Sequence, residues 1–192
     1  HVIIGTGSLE RHIAFNNNDI PGVMTVNASK HYLNRFGVLT GKNIVITTNN
    51  DSVYATAEQL SIAGANVTVL DARDEIDLKI NYNHNIRFGT VPYNINGSRK
   101  IESIDIANIS HSPFKKIDTI SCDQVLISGG WSPTLHLLSH RGVRPIWNAE
   151  NLCFLPGNTN ENITVIGSAR GIWNKEDCIK SGIAGSMDAM NR

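Results

Sequence analysis

Apolar residues along this chain recur with two different periods, and the changes between them mark its elements. Residues 2–4 are a short apolar run ending in Gly5-Thr6-Gly7, which predicts a strand running into a tight turn. Asp19-Ile20-Pro21-Gly22-Val23-Met24 reads as a turn. After it, Ala28, Tyr32, Leu33 and Phe36 keep helical spacing with Gly37 just beyond, predicting a helix over 27–36. A strand over 44–48, a helix over 53–63 stopped by Gly64, and a strand over 67–70 ending at Asp71 together predict a βαβ unit. Asn96-Gly97 lies between two strand-like runs, a strong hairpin signal, although the second run alternates only in part. A strand over 123–128 leads into Gly129-Gly130-Trp131-Ser132-Pro133, read as a tight strand-to-helix turn, and a short helix over 134–140. A last strand over 163–166 ends in Gly167-Ser168-Ala169-Arg170-Gly171. A last helix over 175–190 then carries Cys178, Ile179, Ile183, Met187 and Met190. Strands alternating with helices give an α/β class.

The βαβ unit lacks the residues that would make it a nucleotide site. A G-x-G-x-x-G/A fingerprint would fall at Thr48, Asn50 and Val53, and none of these is glycine. Asp51 places a carboxylate where a pyrophosphate would sit, and Asp51 or Ser52 reads more simply as a helix N-cap. Asp71 stands about 20 residues on, where a ribose-binding acid belongs, but an acid alone cannot hold a dinucleotide. The unit therefore reads as structural.

Composition narrows the function classes. The 192 residues allow one large domain or two small ones, and 41% hydrophobic residues suffice for a core. Seventeen basic residues balance seventeen acidic ones, which gives no electrostatic footprint for nucleic acid or an anionic membrane. There is no apolar run of bilayer-spanning length and no signal-peptide pattern. The chain opens at His1 directly on an apolar run, as expected of a piece of a longer polypeptide or of a processed terminus. Cys122, Cys153 and Cys178 form no C-x-x-C, so no cluster, zinc ribbon or redox dithiol is indicated, and a cytoplasmic protein with reduced thiols is expected.

Several strings together carry a resemblance. The strand with Gly5-Thr6-Gly7, then Leu9-Glu10-Arg11, then Pro21-Gly22-Val23-Met24 resembles a segment of flavoproteins with two dinucleotide-binding domains, one inserted in the other. Thr48-Asn49-Asn50-Asp51-Ser52 lies where thioredoxin-reductase-like members carry G-G-G-D-S. With the run from Ser128 to Leu137 and Phe154-Leu155-Pro156-Gly157, the chain is most similar to alpha subunits of heterotetrameric sarcosine oxidases. The resemblance implies a Rossmann-like, FAD/NAD(P)-binding fold with an inserted nucleotide-binding-like domain carrying an antiparallel hairpin. It places residues 1–41 and 118–192 in the later part of the outer domain and 42–117 in the inserted one. The front of the outer domain, with its own glycine fingerprint, and a folate-binding domain at the far end would lie outside this chain.

The resemblance also implies an activity, the oxidative demethylation of sarcosine to glycine. The one-carbon unit is passed to tetrahydrofolate or released as formaldehyde. NAD would reside in the alpha subunit, and FAD and FMN mainly on the beta subunit, with gamma and delta subunits as further partners. No catalytic side chain is expected here. The expected cofactor-binding residues are Thr6, Gly7, Gly167, Ser168, Ala169 and Ile172, on two turns that face the outer-domain dinucleotide, with N–H groups after Gly167 opening the last helix toward phosphate. Flavin-binding relatives carry an acid where Ser168 stands, so its absence fits NAD or no cofactor rather than FAD.

Other candidates weigh less. Trp131 reads equally as a pocket or subunit contact and as buried packing. His136 and His140 share a helix face but lack the glutamate of H-E-x-x-H and an evident third ligand, so no metal is expected. Ser8, Ser128 and the cysteines lie in no nucleophile motif. Three classes stay open: a subunit of an amine-oxidising flavoenzyme of the sarcosine, opine or dimethylglycine type; a binding or assembly module without cofactor; and, least favoured, an independent NAD(P)H reductase.

Overall fold

The computed structural model describes residues 1–74, 85–159 and 162–191. Its elements in chain order begin with β1 (Val2–Ile4), β2 (Ser8–Glu10), β3 (Val23–Thr25), α1 (Val26–Phe36), β4 (Asn43–Thr48), α2 (Tyr54–Ile62) and β5 (Asn66–Asp71). They continue with β6 (Asn85–Phe88), β7 (Thr90–Gly97), β8 (Ile101–Asn108), β9 (Lys116–Ser121), β10 (Gln124–Ser128), β11 (Trp131–Pro133) and α3 (His136–His140). The last are β12 (Ile146–Asn148), β13 (Cys153–Leu155), β14 (Ile163–Val165) and α4 (Lys175–Met190). Two compact units divide the chain: a continuous one, Glu10–Gly130, and a split one, His1–Leu9 with Trp131–Arg192.

The continuous unit is built on a five-stranded parallel sheet in the order β3-β10-β4-β5-β6. A parallel sheet covered on both faces needs apolar residues at every position rather than at alternate ones. β4 and β10 are buried from Ile44 to Thr48 and from Gln124 to Ser128, apolar at Ile44–Ile46 and Val125–Ile127 and polar at Thr47, Thr48, Gln124 and Ser128. Ile44, Ile46, Val69 and Leu126 pack with Tyr54, Ala57 and Leu60 of α2. Val45, Leu70 and Val125 turn to the other face and meet Ile95, Ile101, Ile104 and Ile106. Each such fully buried aliphatic side chain contributes roughly 1.5–3 kcal/mol of transfer free energy. Thr25 caps α1, its hydroxyl accepting from the Ala28 N–H, and Gly37 ends it in the left-handed region at φ 64°.

The second apolar layer comes from an antiparallel sheet, β7-β8-β9. The Asn96-Gly97 hairpin forms as expected, with Gly97 at φ 139°, where a Cβ would collide with the Lys100 carbonyl. A third strand, β9, joins it through a register irregularity at Ile106/Ala107.

In the split unit β1 and β14 form a parallel pair, and β12–β13 an antiparallel one. Ile4, Leu135, Leu138, Val165 and Ala169 make its core. α4 lies close on β14, since a Cβ at Gly185 would stand 3.3 Å from Thr164 Cγ2.

The units divide the chain elsewhere than the expected 1–41, 42–117 and 118–192. β3 and β4 flank β10 in a single sheet, so the segments 10–41 and 118–130 belong with the βαβ unit. The turn read over Asp19–Met24 contains, at its end, the first residues of strand β3. No described helix is long and apolar enough to cross a membrane.

Candidate functional site

In each unit parallel strands end together at their carboxyl ends, the place where nucleotides bind in open α/β sheets. In the split unit β1 runs into Gly5-Thr6-Gly7, and β14 into a 3-10 turn over Gly167–Arg170. Ile166 donates its N–H to the Ile4 carbonyl at 2.9 Å and so holds the two turns side by side. Gly7, Gly167 and Gly171 have φ of 75°, 64° and 81°, which favour glycine. A Cβ at Gly7 would point at Ser168 Oγ, 3.9 Å away, so the turn is bare of side chains where it faces Ser168. A cavity of about 690 Å³ runs along the whole of β1, from His1 and Asn162 at one end to Gly5 and Thr6 at the other, and Gly7, Gly167 and Ser168 do not line it. That size suits a small-molecule site.

The six expected cofactor residues do not share one role. Gly7 and Ser168 meet. The Thr6 hydroxyl donates to the Thr134 carbonyl at 2.7 Å and is not free to meet a ligand. Ala169 is fully buried in the core, so its side chain cannot touch a ligand. The Gly167 N–H donates to Ser181 Oγ at 3.2 Å. The Ile172 carbonyl accepts from the Cys178 thiol at 3.1 Å. The expectation that N–H groups after Gly167 open the last helix is corrected. They open the 3-10 turn, which Gly171 ends, and α4 begins only at Lys175. The α4 terminus is closed by Asn174, whose side chain accepts from the Glu176 and Asp177 N–H groups, and both acids lie in the first turn.

The crevice of the continuous unit is furnished differently. Asn50, not Asp51 or Ser52, caps the turn after β4: its Oδ1 accepts from Ser52 N at 3.1 Å and from Ser52 Oγ at 2.6 Å. Its amide nitrogen crosses to β10, donating to Ser128 O at 3.2 Å and Ser128 Oγ at 3.3 Å. Asp71, at the end of β5, is fully buried and accepts from Tyr54 OH at 2.7 Å. Arg73 clasps it with Nε at 3.0 Å, Nη2 at 2.8 Å and its own backbone N–H at 2.9 Å. The same Nη2 donates to Asp51 at 2.8 Å. The Asp71 carboxylate pushes the Arg73 guanidinium above its ordinary value, and burial, aided by Asp71, pushes the Tyr54 hydroxyl up.

Arg73 was not singled out from sequence, and Asn50 only as a missing glycine of the fingerprint. The signal for Arg73 was the Asp-x-Arg triplet at the end of an apolar strand, which places a cation within reach of the ribose-acid position.

The remaining candidates lie elsewhere. Gly129 and Gly130 do not turn into a helix, because β11 follows. They accommodate backbone instead: Gly129 donates to the Arg11 carbonyl at 2.8 Å, and a Cβ on it would stand 3.2 Å from the Arg11 and His12 carbonyls. Trp131 is half-buried in β11, and His136 and His140 are exposed on α3. Among the described residues no three His, Cys, Asp or Glu side chains converge as metal ligands. Burial pushes the Cys122 thiol up to about 12, which makes it a poor nucleophile.

No family model matches the chain. It is 32% identical over 183 residues to the sarcosine oxidase alpha subunit of Rhizobium meliloti, and 30% identical over 190 residues to that of a Corynebacterium. Each alignment covers 95% of this chain. The chain is homologous to the sarcosine oxidase alpha subunit. It spans only 18% and 20% of those two relatives. An opine oxidase subunit of Agrobacterium tumefaciens is 26% identical over 98% of the chain, which spans 43% of it. Among solved structures, thioredoxin reductase of Lactococcus lactis superposes with a TM-score of 0.72 at 19% identity, over 98% of this chain and 64% of that one. L-proline dehydrogenase of P. horikoshii gives 0.64 at 17% identity, over 88% and 29%. These likenesses establish the Rossmann-like fold expected from the sequence.

Proposed function

We propose that this chain is the dinucleotide-holding and scaffolding part of a cytoplasmic sarcosine-oxidase-like alpha subunit, with no catalytic side chain of its own. The reading rests on the side-by-side turns Gly5-Thr6-Gly7 and Gly167–Arg170 at the ends of β1 and β14. Glycine there lets the backbone approach a pyrophosphate, and Gly7 with Ser168 leaves the cradle that a Cβ would fill. With Ser168 in place of a flavin-type acid, NAD is the dinucleotide this cradle suits. In the assembled enzyme a flavin would accept the electrons of amine oxidation on the beta subunit. The role of this chain is to bind NAD through the backbone of Thr6, Gly7 and Ser168, with Gly167 and Ile172 beside them, and to hold the beta, gamma and delta subunits. The substrate follows as sarcosine, converted to glycine, with the one-carbon unit going to tetrahydrofolate or leaving as formaldehyde.

The test is the nucleotide content of the full-length alpha subunit co-purified with its partner subunits. Acid release should yield NAD, and a Gly7→Val variant should lose it while its beta-subunit flavins remain. Unchanged NAD in that variant would refute the site. The likeness to the opine oxidase subunit along 98% of the chain favours a second reading, an opine-type amine substrate. Turnover of sarcosine against opines by the same preparation decides between them.

A further inference from the structure

Oppositely charged side chains three or four residues apart steady a helix that faces only water. α1 has no such pair. It carries Lys30, His31 and Arg35 with no acid, and residues 20–50 contain no Asp or Glu, in a chain whose seventeen basic and seventeen acidic residues balance. Among the described residues none of these three side chains enters an ion pair. The inner side of the helix is fixed by Val26, Ser29 and Leu33, which pack inward. Its outer side exposes large apolar groups: Tyr32 is 46% exposed, Phe36 60%, and Val38, just past the helix end, 47%. Phe36 is held by its neighbours. Tyr32 lies tilted at 6.1 Å and His31 edge-on at 6.0 Å between ring centroids, and the Arg35 guanidinium stands over the ring at 5.7 Å. The exposed ring therefore has little freedom left to lose on binding.

We propose that the outer face of α1 docks an acidic, apolar-bearing segment of another polypeptide, whose carboxylates meet Lys30 and Arg35 and whose apolar side chains cover Tyr32 and Phe36. The charge of the face selects the sign of the partner, because cations without counter-ions are complementary to carboxylates. The rings select a protein: aromatic residues and arginine are what the buried centre of a protein interface is rich in. Three cations meet too few phosphates to hold a nucleic acid, whose affinity grows with the number of phosphates neutralised. This rests on the proposed function only in naming the partner as another subunit of the same oxidase.

The full-length alpha subunit co-purified with its partner subunits gives the test. A carbodiimide condenses a lysine amine with a carboxylate in contact with it, forming an amide and taking up the water lost. In the native assembly it should join Lys30 to an Asp or Glu of a partner subunit. Phe36→Ser should weaken the assembly at least about tenfold on dilution at any salt concentration, and Arg35→Glu should weaken it most at low salt. Both residues are exposed, so the urea midpoint of each variant should hardly move. Lys30 left unlinked in the native assembly, or native-strength assembly in Phe36→Ser, would overturn the proposal. A link from Lys30 to another part of the alpha subunit or to a second copy of it would also overturn it, as would binding of RNA or phosphatidylserine vesicles that Arg35→Glu abolishes. An alpha subunit that carries NAD but no partner subunit sinks the docking face alone, and one that assembles without NAD sinks the split-unit site alone.

Discussion

The two crevices solve one problem with opposite means. Parallel strands that end together leave backbone N–H groups and a helix or 3-10 terminus facing the same space, and these donors need acceptors. The split unit meets this with residues that have little or no side chain: Gly5 and Gly7 on one turn, Gly167 and Ser168 on the other. The continuous unit meets it with Asn50, bonded to Ser52 and Ser128, and with Asp51 and Asp71, joined through Arg73, with Tyr54 donating to Asp71. On the function proposed above, a ligand and a set of polar side chains are alternative ways to satisfy the same strand ends. A nucleotide-binding architecture can therefore persist as a packed body without a nucleotide, provided the chain supplies the counter-charges itself.

The comparison is broken most severely by removing Arg73. Asp71 is fully buried, so Arg73→Met leaves its carboxylate with Tyr54 as the main side-chain donor. Loss of one partner of a buried pair costs about 3–5 kcal/mol, and because Arg73 is 31% exposed, re-entering water should reduce that to roughly 2–3 kcal/mol. Urea unfolding should show this loss, and Arg73→Lys should recover only part of it, since a single ammonium cannot reproduce the two-pronged contact.

A smaller stability effect with a larger functional one is expected at Gly7. Its φ of 75° costs a side chain about 1 kcal/mol, yet a Cβ there meets nothing nearer than Ser168 Oγ at 3.9 Å. Gly7→Ala should fold, lose about 1 kcal/mol in urea unfolding, and lower NAD content in the assembled enzyme. A variant that keeps full NAD content would place the ligand elsewhere.

Asp51→Asn should cost less than about 1 kcal/mol, because Asp51 is 72% exposed and its pair with Arg73 is open to water and salt. The difference from native should shrink in high salt. A cost as large as that of Arg73→Met would mean that the outer half of the clasp, not Asp71, carries the stability.

What the sequence disclosed divides along the same line. α4 over 175–190 was legible to the residue, and α1, β4, α2 and β5 nearly so, because each shows its period and its stop residue locally. β3 was hidden: Val23–Thr25 follows a Pro-Gly turn, and its strand character comes from pairing with Val125–Ile127, far along the chain. The domain boundaries failed for the same reason, since β10 declares its sheet only through β3 and β4. At the site, the missing glycines were visible at Thr48, Asn50 and Val53. What replaced them was not, because Asn50–Ser128 and Asp51–Arg73 are contacts between residues distant in sequence.

The smallest expected effect concerns Glu10, also in the continuous unit. Its carboxylate accepts from the Asn27 N–H at 2.8 Å, at the start of α1. Burial raises its pKa above the ordinary 4.5, outweighing the hydrogen bonds from Asn27, Ser128 and Thr25 and the attraction of His12, which lower it. An acid whose folded value is raised adds stability that is complete below its unfolded value and fades as pH rises through the folded one. Glu10→Gln keeps an acceptor for Asn27 but does not titrate. Relative to native, the variant should therefore gain stability as pH rises from about 4 to about 7.5, read as the difference in urea midpoints across that range. A difference that moves the other way would show that the charge of Glu10 at the α1 terminus outweighs its burial, and that this strand end, like those at Asp51 and Asp71, depends on a fixed anion.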